Sequence, residues 1–588
     1  MRGARERRLA GQDLHALRAR RRARRAALLQ GGVAGRPHGA PVLERARPRD
    51  PQADRLVAGL PQGRAAPDLA QGRGLRARRH GRLARLLRPE REARLRLRDE
   101  PHGLADPLSA HGRPLSSRVS RPGRGQRVGV SWRLEFPEGF WWGTATAGHQ
   151  VEGNNVHSNW WAWEQEGKVN DGTTSGRACD YYNRYPEDHA LMARHGHTGF
   201  RLGLEWARLE PQEGVFDEVA LEHYLAMLAD LRARGLKVCL TLNHWVLPNW
   251  FAERGGWRAR TALARWERYL RWVIPRVADQ VDLWITLNEP MVPVLVGHLI
   301  GYHPPCLVDP LAAGQVFRAL LRAHALAYRM IHALVGRAPD GGPVQAGYAS
   351  AVQYVEPLAE RGWQRKLETV LAKVFAQVSY KAWEESVATG RVALPFGRRQ
   401  RIKDLEGSLD FLGLNYYMRV SATVSLNTLS NVQAGQFTAP PGIETTAMGW
   451  QVYPPGFFHA LREGWERFHK PIYVTENGCA SVDEDDQRRR YLVSHWAQMH
   501  RAIESGVDVR GYMLWSFMDN FEWREGFEKQ FGIVAVDHSD PALTRRPRQS
   551  AELYRELIAG NALTSEIAER HAPGVMKRWP VPATLRAR

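Results

Sequence analysis

The stretch Asp282-Leu283-Trp284-Ile285-Thr286-Leu287-Asn288-Glu289-Pro290 is an apolar run that stops abruptly at an amide, a carboxylate and a proline. Its length and continuous apolar character read as a strand buried on both faces, which is how strands of a parallel sheet look. The polar stop puts Asn288 and Glu289 at the strand's end. Pro471-Ile472-Tyr473-Val474-Thr475-Glu476-Asn477-Gly478 repeats the arrangement. Working outward, six further runs of this kind lie over 140–146, 198–204, 237–243, 344–350, 409–415 and 510–516. Segments with helical spacing separate them, over 182–195, 218–234, 262–278, 312–334, 363–388, 456–468 and 485–505, and a last one over 549–558 completes the count. Alternating strands and helices define the α/β class. Eight such units predict a (β/α)8 TIM barrel over 131–560, with 561–588 as a C-terminal tail and the functional residues at the C-terminal strand ends.

Residue types support that placement. Six of the eight runs lead into polar or aromatic clusters: Gln150, His244-Trp245, Asn288-Glu289, Asn415-Tyr416-Tyr417, Glu476-Asn477 and Trp515-Ser516. The connection over 421–450 is long and rich in Thr, Asn, Gly and Pro, and is read as a loop over the barrel mouth.

The N-terminal part has a different composition. Residues 1–130 hold 32 Arg, no Lys and 11 acidic residues, a net +21 equal to the formal charge of the whole chain; the remaining residues balance at 51 basic and 51 acidic. The segment contains no Phe, Trp, Tyr, Ile, Thr, Asn or Cys, and so has little with which to build a core. We read it as an Arg-rich low-complexity extension, disordered or belonging to a mis-assigned start near Val128 or Val130. A nucleic-acid arm, an acidic-membrane contact and a transit peptide are the competing readings. The first lacks base-stacking aromatics, and no specific nucleic-acid partner is expected. No run of about 18 apolar residues marks a membrane span, and no membrane partner is expected.

All 21 Trp, 17 Tyr and 17 Phe lie beyond residue 130. Such aromatic density suits a large core and also a sugar site, where flat rings cover the apolar faces of pyranoses. Cys179, Cys239, Cys306 and Cys479 form no CxxC pair and read as reduced thiols of a cytoplasmic protein. His195-Gly196-His197 lacks companion ligands, so no metal is expected. Without a Walker or dinucleotide fingerprint, no cofactor is expected either.

Several ordered motifs span residues 134–558: Phe136-Pro137-Glu138-Gly139-Phe140, Gly143-Thr144-Ala145, Gln150-Val151-Glu152-Gly153, Thr286 to Pro290, Asn415-Tyr416-Tyr417, Val474 to Gly478, and Trp515-Ser516 followed by Asp519-Asn520-Phe521-Glu522-Trp523. Taken in this order they resemble glycoside hydrolase family 1, the β-glucosidase and β-galactosidase family. The resemblance implies a retaining β-glycosidase acting on nonreducing-end β-D-glucosides, galactosides or fucosides by double displacement. Such chemistry needs an acid/base and a nucleophile about 5–5.5 Å apart. The resemblance assigns these roles to Glu289 and Glu476. It places Asn288 on the sugar 2-hydroxyl, and makes Tyr417 and Arg201 supports of the nucleophile. Gln150, His244 and Glu522 become readers of sugar hydroxyls, with Trp515 as the pocket floor and Trp523 at its flank. An anionic Glu522 would disfavour 6-phosphorylated sugars.

Taken singly, these residues have blander readings: a turn cap for Glu289, a loop acid for Glu476, a surface ion pair for Arg201, a satisfied core histidine for His244, a structural acid for Glu522. The alternatives for the whole chain are a non-catalytic sugar-binding barrel, an Arg-rich nucleic-acid binder carrying the barrel as a passenger, and a transglycosylase. Two positions depart from the commonest family pattern. Val246 stands where many relatives carry an acid, and Glu205-Trp206-Ala207-Arg208 is similar to the Glu-Trp-Ser-Arg form of archaeal-type members. Both leave open which sugar and which aglycone are bound. The oligomeric state is also left open.

Overall fold

A computed structural model describes residues 131–423, 439–440 and 442–580. The extension over 1–130, the middle of the 421–450 connection and residues 581–588 lie outside the described residues, as do the expectations about them.

Eight strands form a closed parallel barrel in sequential order: β1 Trp141–Ala145, β2 Gly199–Gly203, β3 Lys237–Thr241, β4 Leu283–Asn288, β5 Gln345–Pro357, β6 Phe411–Ala422, β7 Ile472–Asn477 and β8 Val509–Trp515. β8 closes on β1 through Trp141↔Gly511 to Ala145↔Trp515. Each strand segment inside the barrel wall is almost wholly buried, because helices cover the outside and side chains fill the inside.

Alternation along each strand sorts its side chains between two cores. Leu283, Ile285, Phe411, Tyr473 and Met513 point inward, into a cluster continuous with the mouth residues Trp515 and Trp523. Trp284, Leu287, Leu412, Val474 and Leu514 point outward into the larger layer between strands and helices. Local chemistry starts the helices. Asp217 accepts from Ala220 N at 2.9 Å ahead of Glu218–Ala233. Asp309 caps Pro310–Leu334, whose first residue is the proline that position favours.

The differences from the sequence reading have physical reasons. β5 and β6 run past the barrel wall as far as Pro357 and Ala422, paired with each other, and Arg419 forms one further bridge to Gln451. The outer half of β5 and residues 417–419 of β6 are partly exposed, so these stretches lack the continuous apolar run that marks a buried strand. This takes residues 421 and 422 out of the loop reading. The helix expected over 363–388 is interrupted by a π-type segment, Gln377–Lys381. The first part of the region read as a tail is folded: Ala562–Thr564 pairs antiparallel with Arg133–Glu135, and short helices follow over Ser565–His571 and Val575–Arg578.

Candidate active site

The C-terminal ends of the barrel strands gather the residues singled out above around a single buried guanidinium. Arg201, in β2, is fully buried. Its Nη1 donates to Glu476 Oε1 at 2.6 Å and to the Thr475 carbonyl at 3.0 Å, Nη2 donates to Asn288 Oδ1 at 2.7 Å, and Nε donates to Thr241 Oγ1 at 3.2 Å. A buried cation survives only with such pairing, so the surface-pair reading of Arg201 does not hold. Tyr417 OH donates to the other Glu476 oxygen at 2.7 Å. Desolvation, then the charge of Glu476, raises the Tyr417 phenol well above its ordinary value, so it stays a donor. The Glu476 carboxylate is thus gripped on both oxygens.

Glu289 follows β4 directly, in a left-handed backbone conformation with φ 43°, which costs a non-glycine residue about 1–2 kcal/mol. Its carboxyl receives Asn415 Nδ2 at 2.8 Å, and no cation touches it among the described residues. Burial, reinforced by the negative charge of Glu476, pushes its pKa up to about 8, partly offset by Asn415 and Arg201. A carboxyl pushed toward its protonated form therefore lies near one that is bonded to arginine.

Asn288 Oδ1 accepts from Arg201 and, at 3.2 Å, from Asn415. That orients its amide so that Nδ2 donates to His244 Nε2 at 2.9 Å, leaving the ring proton on Nδ1. Burial and Arg201 hold His244 well below its usual pKa, as a neutral ring. Its Nδ1 has no hydrogen-bond partner among the described residues, and neither has Gln150 Oε1. Buried polar atoms left this way are able to bond a hydroxyl at the barrel mouth.

Gln150 Nε2 donates to Asn520 Oδ1 and the Phe521 carbonyl, each at 2.9 Å, and to Glu522 Oε2 at 3.2 Å. The Glu522 carboxyl is pushed up to about 8 by desolvation and then by Glu476. Burial there favours the protonated form, which donates as well as accepts. Trp515, at the end of β8, lies 6.0 Å from the His244 ring, and Trp523 lies 5.8 Å from it on a second side.

A second layer aims these groups. Glu205, in the segment that departs from the commonest pattern, accepts from His149 N at 2.9 Å and from Asn155 Nδ2 at 2.8 Å. It thereby anchors the short helix Gly148–Val151 that presents Gln150. His149 stacks on Trp523, with centroids 5.9 Å apart. A Cβ at Gly478 would overlap the Trp515 carbonyl, so the turn after Glu476 needs glycine there.

Three contributors were not assigned roles from sequence. Asn415 bonds Glu289 through an amide that strand position alone leaves unaimed. Trp245 packs 4.7 Å from Trp523 and donates to the Asn288 carbonyl at 3.1 Å; its place beside His244 was the available signal. Trp450, at the end of the long connection, sits 5.4 Å from Tyr417, a contact that nothing local indicates. Among the described residues, no group of three or more His, Cys, Asp or Glu could hold a metal ion, and the four cysteines are free thiols.

A barrel mouth lined by carboxyls, amides and indoles, with one buried glutamate bonded to arginine and another bonded only to an amide among the described residues, fits a glycoside hydrolase. Residues 132–563 match the family model for glycosyl hydrolase family 1. Beta-glucosidase A of Thermotoga maritima is 33% identical over 452 residues, covering 73% of this chain and 99% of that protein. A Pyrococcus woesei beta-galactosidase is 29% identical over 509 residues, 74% of this chain and 99% of its own. Among solved structures, a beta-glycosidase from Pyrococcus horikoshii superimposes with a TM-score of 0.67 at 34% identity, covering 77% of this chain and all of that one. The T. maritima family 1 β-glucosidase in complex with isofagomine lactam gives 0.66 at 31% identity, covering 73% and 100%. The chain belongs to glycosyl hydrolase family 1.

Proposed function

We propose that this enzyme hydrolyses nonreducing-end β-D-glucosides, with galactosides or fucosides as close alternatives, and does so with retention by double displacement. The observation that carries the reading is the unequal treatment of two buried glutamates: Glu476 is held by Arg201 and Tyr417, whereas Glu289 meets only the Asn415 amide and is pushed up to about 8. Glu476 attacks the anomeric carbon as Glu289 gives its proton to the leaving oxygen, and the glycosidic C–O bond breaks. Glu289, now a carboxylate, takes a proton from water as that water attacks the same carbon; the Glu476 ester bond breaks and Glu289 is protonated again. Asn288, held between Arg201 and His244, lies where a 2-hydroxyl contact strengthens in the transition state. Gln150, His244 and Glu522 read the remaining hydroxyls, and Trp515 and Trp523 cover the ring.

Unphosphorylated sugars are favoured because no Lys or Arg touches Gln150 or Glu522 among the described residues. A phosphate dianion there would lose hydration without gaining a cation. Incubation with an activated 2-deoxy-2-fluoro-β-glucoside tests the mechanism. The label is expected on the peptide holding Glu476, and product NMR is expected to show the β anomer first. An α product, or a label elsewhere, would overturn it. Rates across aryl β-glucosides, galactosides, fucosides and mannosides decide the sugar.

A further inference from the structure

The helix Gly362–Ala376, which follows β5, is turned the wrong way for a barrel helix. Its buried residues are Glu368, Ala372 and Ala376, while Trp363, Val370 and Val374 are each 55% exposed and Leu367 is 42% exposed. The barrel helix Ala262–Val277 shows the ordinary arrangement, burying Trp266, Tyr269, Leu270, Val273, Ile274 and Val277. The outward residues are spaced four, three and four apart, so they form one stripe along the helix. Leu394, itself 55% exposed, extends it, because its carbonyl accepts from Gln377 Nε2 just past the helix end. Single exposed apolar residues need no explanation, but a contiguous stripe does.

The exposed charges on the helix itself and at its N-terminal cap are all of one sign. Arg361, Arg365, Lys366 and Lys373 are exposed, and none forms a salt bridge with a described carboxylate. The helix's own acid, Glu368, is buried and accepts from Ala359 N at 2.6 Å; the acids nearby are Glu360, exposed ahead of the helix, and Glu385, which accepts from Gln377 Nε2 at the far end. A second copy across a two-fold axis would set these four cations against the same four, which disfavours that pairing. An apolar stripe ending in tryptophan and flanked along the helix by Lys and Arg matches helices that lie in a bilayer interface. No helix among the described residues is long and apolar enough to cross a membrane, and lying on one makes no such demand.

We propose that the outer face of helix Gly362–Ala376, with Leu394, is a docking surface for an anionic lipid bilayer. The stripe enters the acyl boundary, and the four cations meet lipid phosphates, which favour cations near an anionic surface. The helix begins at the C-terminal side of β5, so its tryptophan end lies on the catalytic side of the barrel. Docking there brings the sugar site toward the lipid surface.

The test uses the full-length protein with vesicles of phosphatidylcholine, with and without phosphatidylglycerol. Sedimentation is expected to show binding that needs the anionic lipid and weakens with salt. The triple variant Trp363→Gln, Leu367→Gln, Val374→Gln is expected to lose about tenfold or more in partitioning. A second variant, Arg365→Gln, Lys366→Gln, Lys373→Gln, keeps the stripe and is expected to lose the dependence on anionic lipid. Both should hydrolyse a soluble aryl β-glucoside at the wild-type rate, a readout independent of membrane binding. Because the Arg-rich residues 1–130 could bind anionic vesicles by themselves, hydrogen exchange of the wild-type protein locates the contact: vesicle-induced protection is expected over 362–376. Protection confined to 1–130 would overturn the proposal, as would absence of binding. A wild-type dimer in light scattering that the stripe variant dissociates would also overturn it, in favour of a second copy.

Discussion

Glu289 and Glu476 have the same side chain and lie at the ends of strands of the same barrel, but their surroundings differ. The end of β7 faces a buried guanidinium and a phenol; the residue following β4 faces a single amide. A carboxyl buried without a cation keeps its proton, and one buried against a cation does not need to. Division of labour between two glutamates therefore follows from which of them Arg201 reaches. That side chain also holds Asn288, so one cation organises the nucleophile and the neighbour of the acid.

The sharpest way to break this contrast is to remove the charged member. Glu476→Gln is expected to lower kcat on the order of 10⁴-fold or more, and appreciable turnover without an added nucleophile would contradict its role. Glu289→Ala is expected to cost about 10²–10⁴-fold on substrates with poor leaving groups and far less on activated aryl glycosides. The fall in kcat/KM above about pH 8, where wild-type Glu289 loses its proton, should vanish in this variant. Equal losses on both substrate types, or an unchanged alkaline limb, would refute the acid assignment.

Arg201→Gln removes the feature that separates the two sites. It leaves a buried carboxylate unpaired, which typically costs about 3–5 kcal/mol of stability, measurable by denaturant titration alongside lost activity. A melt similar to wild type would show that water replaces the guanidinium. A smaller effect concerns pH. Glu289 and Glu522 hold protons in the folded state up to about 8, whereas an unfolded glutamate releases its proton near 4.3. The stability they confer is present in full below that value and declines as pH rises toward 8, since unfolding then releases protons. Glu522→Gln is expected to flatten the drop in thermal midpoint between pH 5 and 8.5; an undiminished drop would place the proton elsewhere. The smallest effect is expected from removing residues 1–130, with kcat/KM unchanged; an inactive product would show that the extension contributes to the barrel's function.

The barrel was legible because strands buried on both faces must be apolar throughout and must turn polar where they meet solvent at the mouth. Asn288, Glu289 and Glu476 stand out for that reason alone. The outer halves of β5 and β6 were not legible, since a two-stranded extension needs neither a continuous apolar run nor a fixed period. Gln150 and Glu522 stood in recognisable motifs, yet their contact joins residues 372 positions apart, which no local pattern encodes. The upward push on the Glu522 carboxyl was hidden for the same cause: it comes from burial and from Glu476, which lies far away in the chain.

The order of apolar runs, helical spacings and strand-end motifs by itself determined the barrel class, the family resemblance and the candidate site residues, because all of these are written in residue type and short-range period. Only the tertiary structure decided which amide reaches Glu289, that Trp450 packs against Tyr417, and that one helix wears its tryptophan outside. Those outcomes depend on distances between residues far apart in the chain, and burial and charge act through distance.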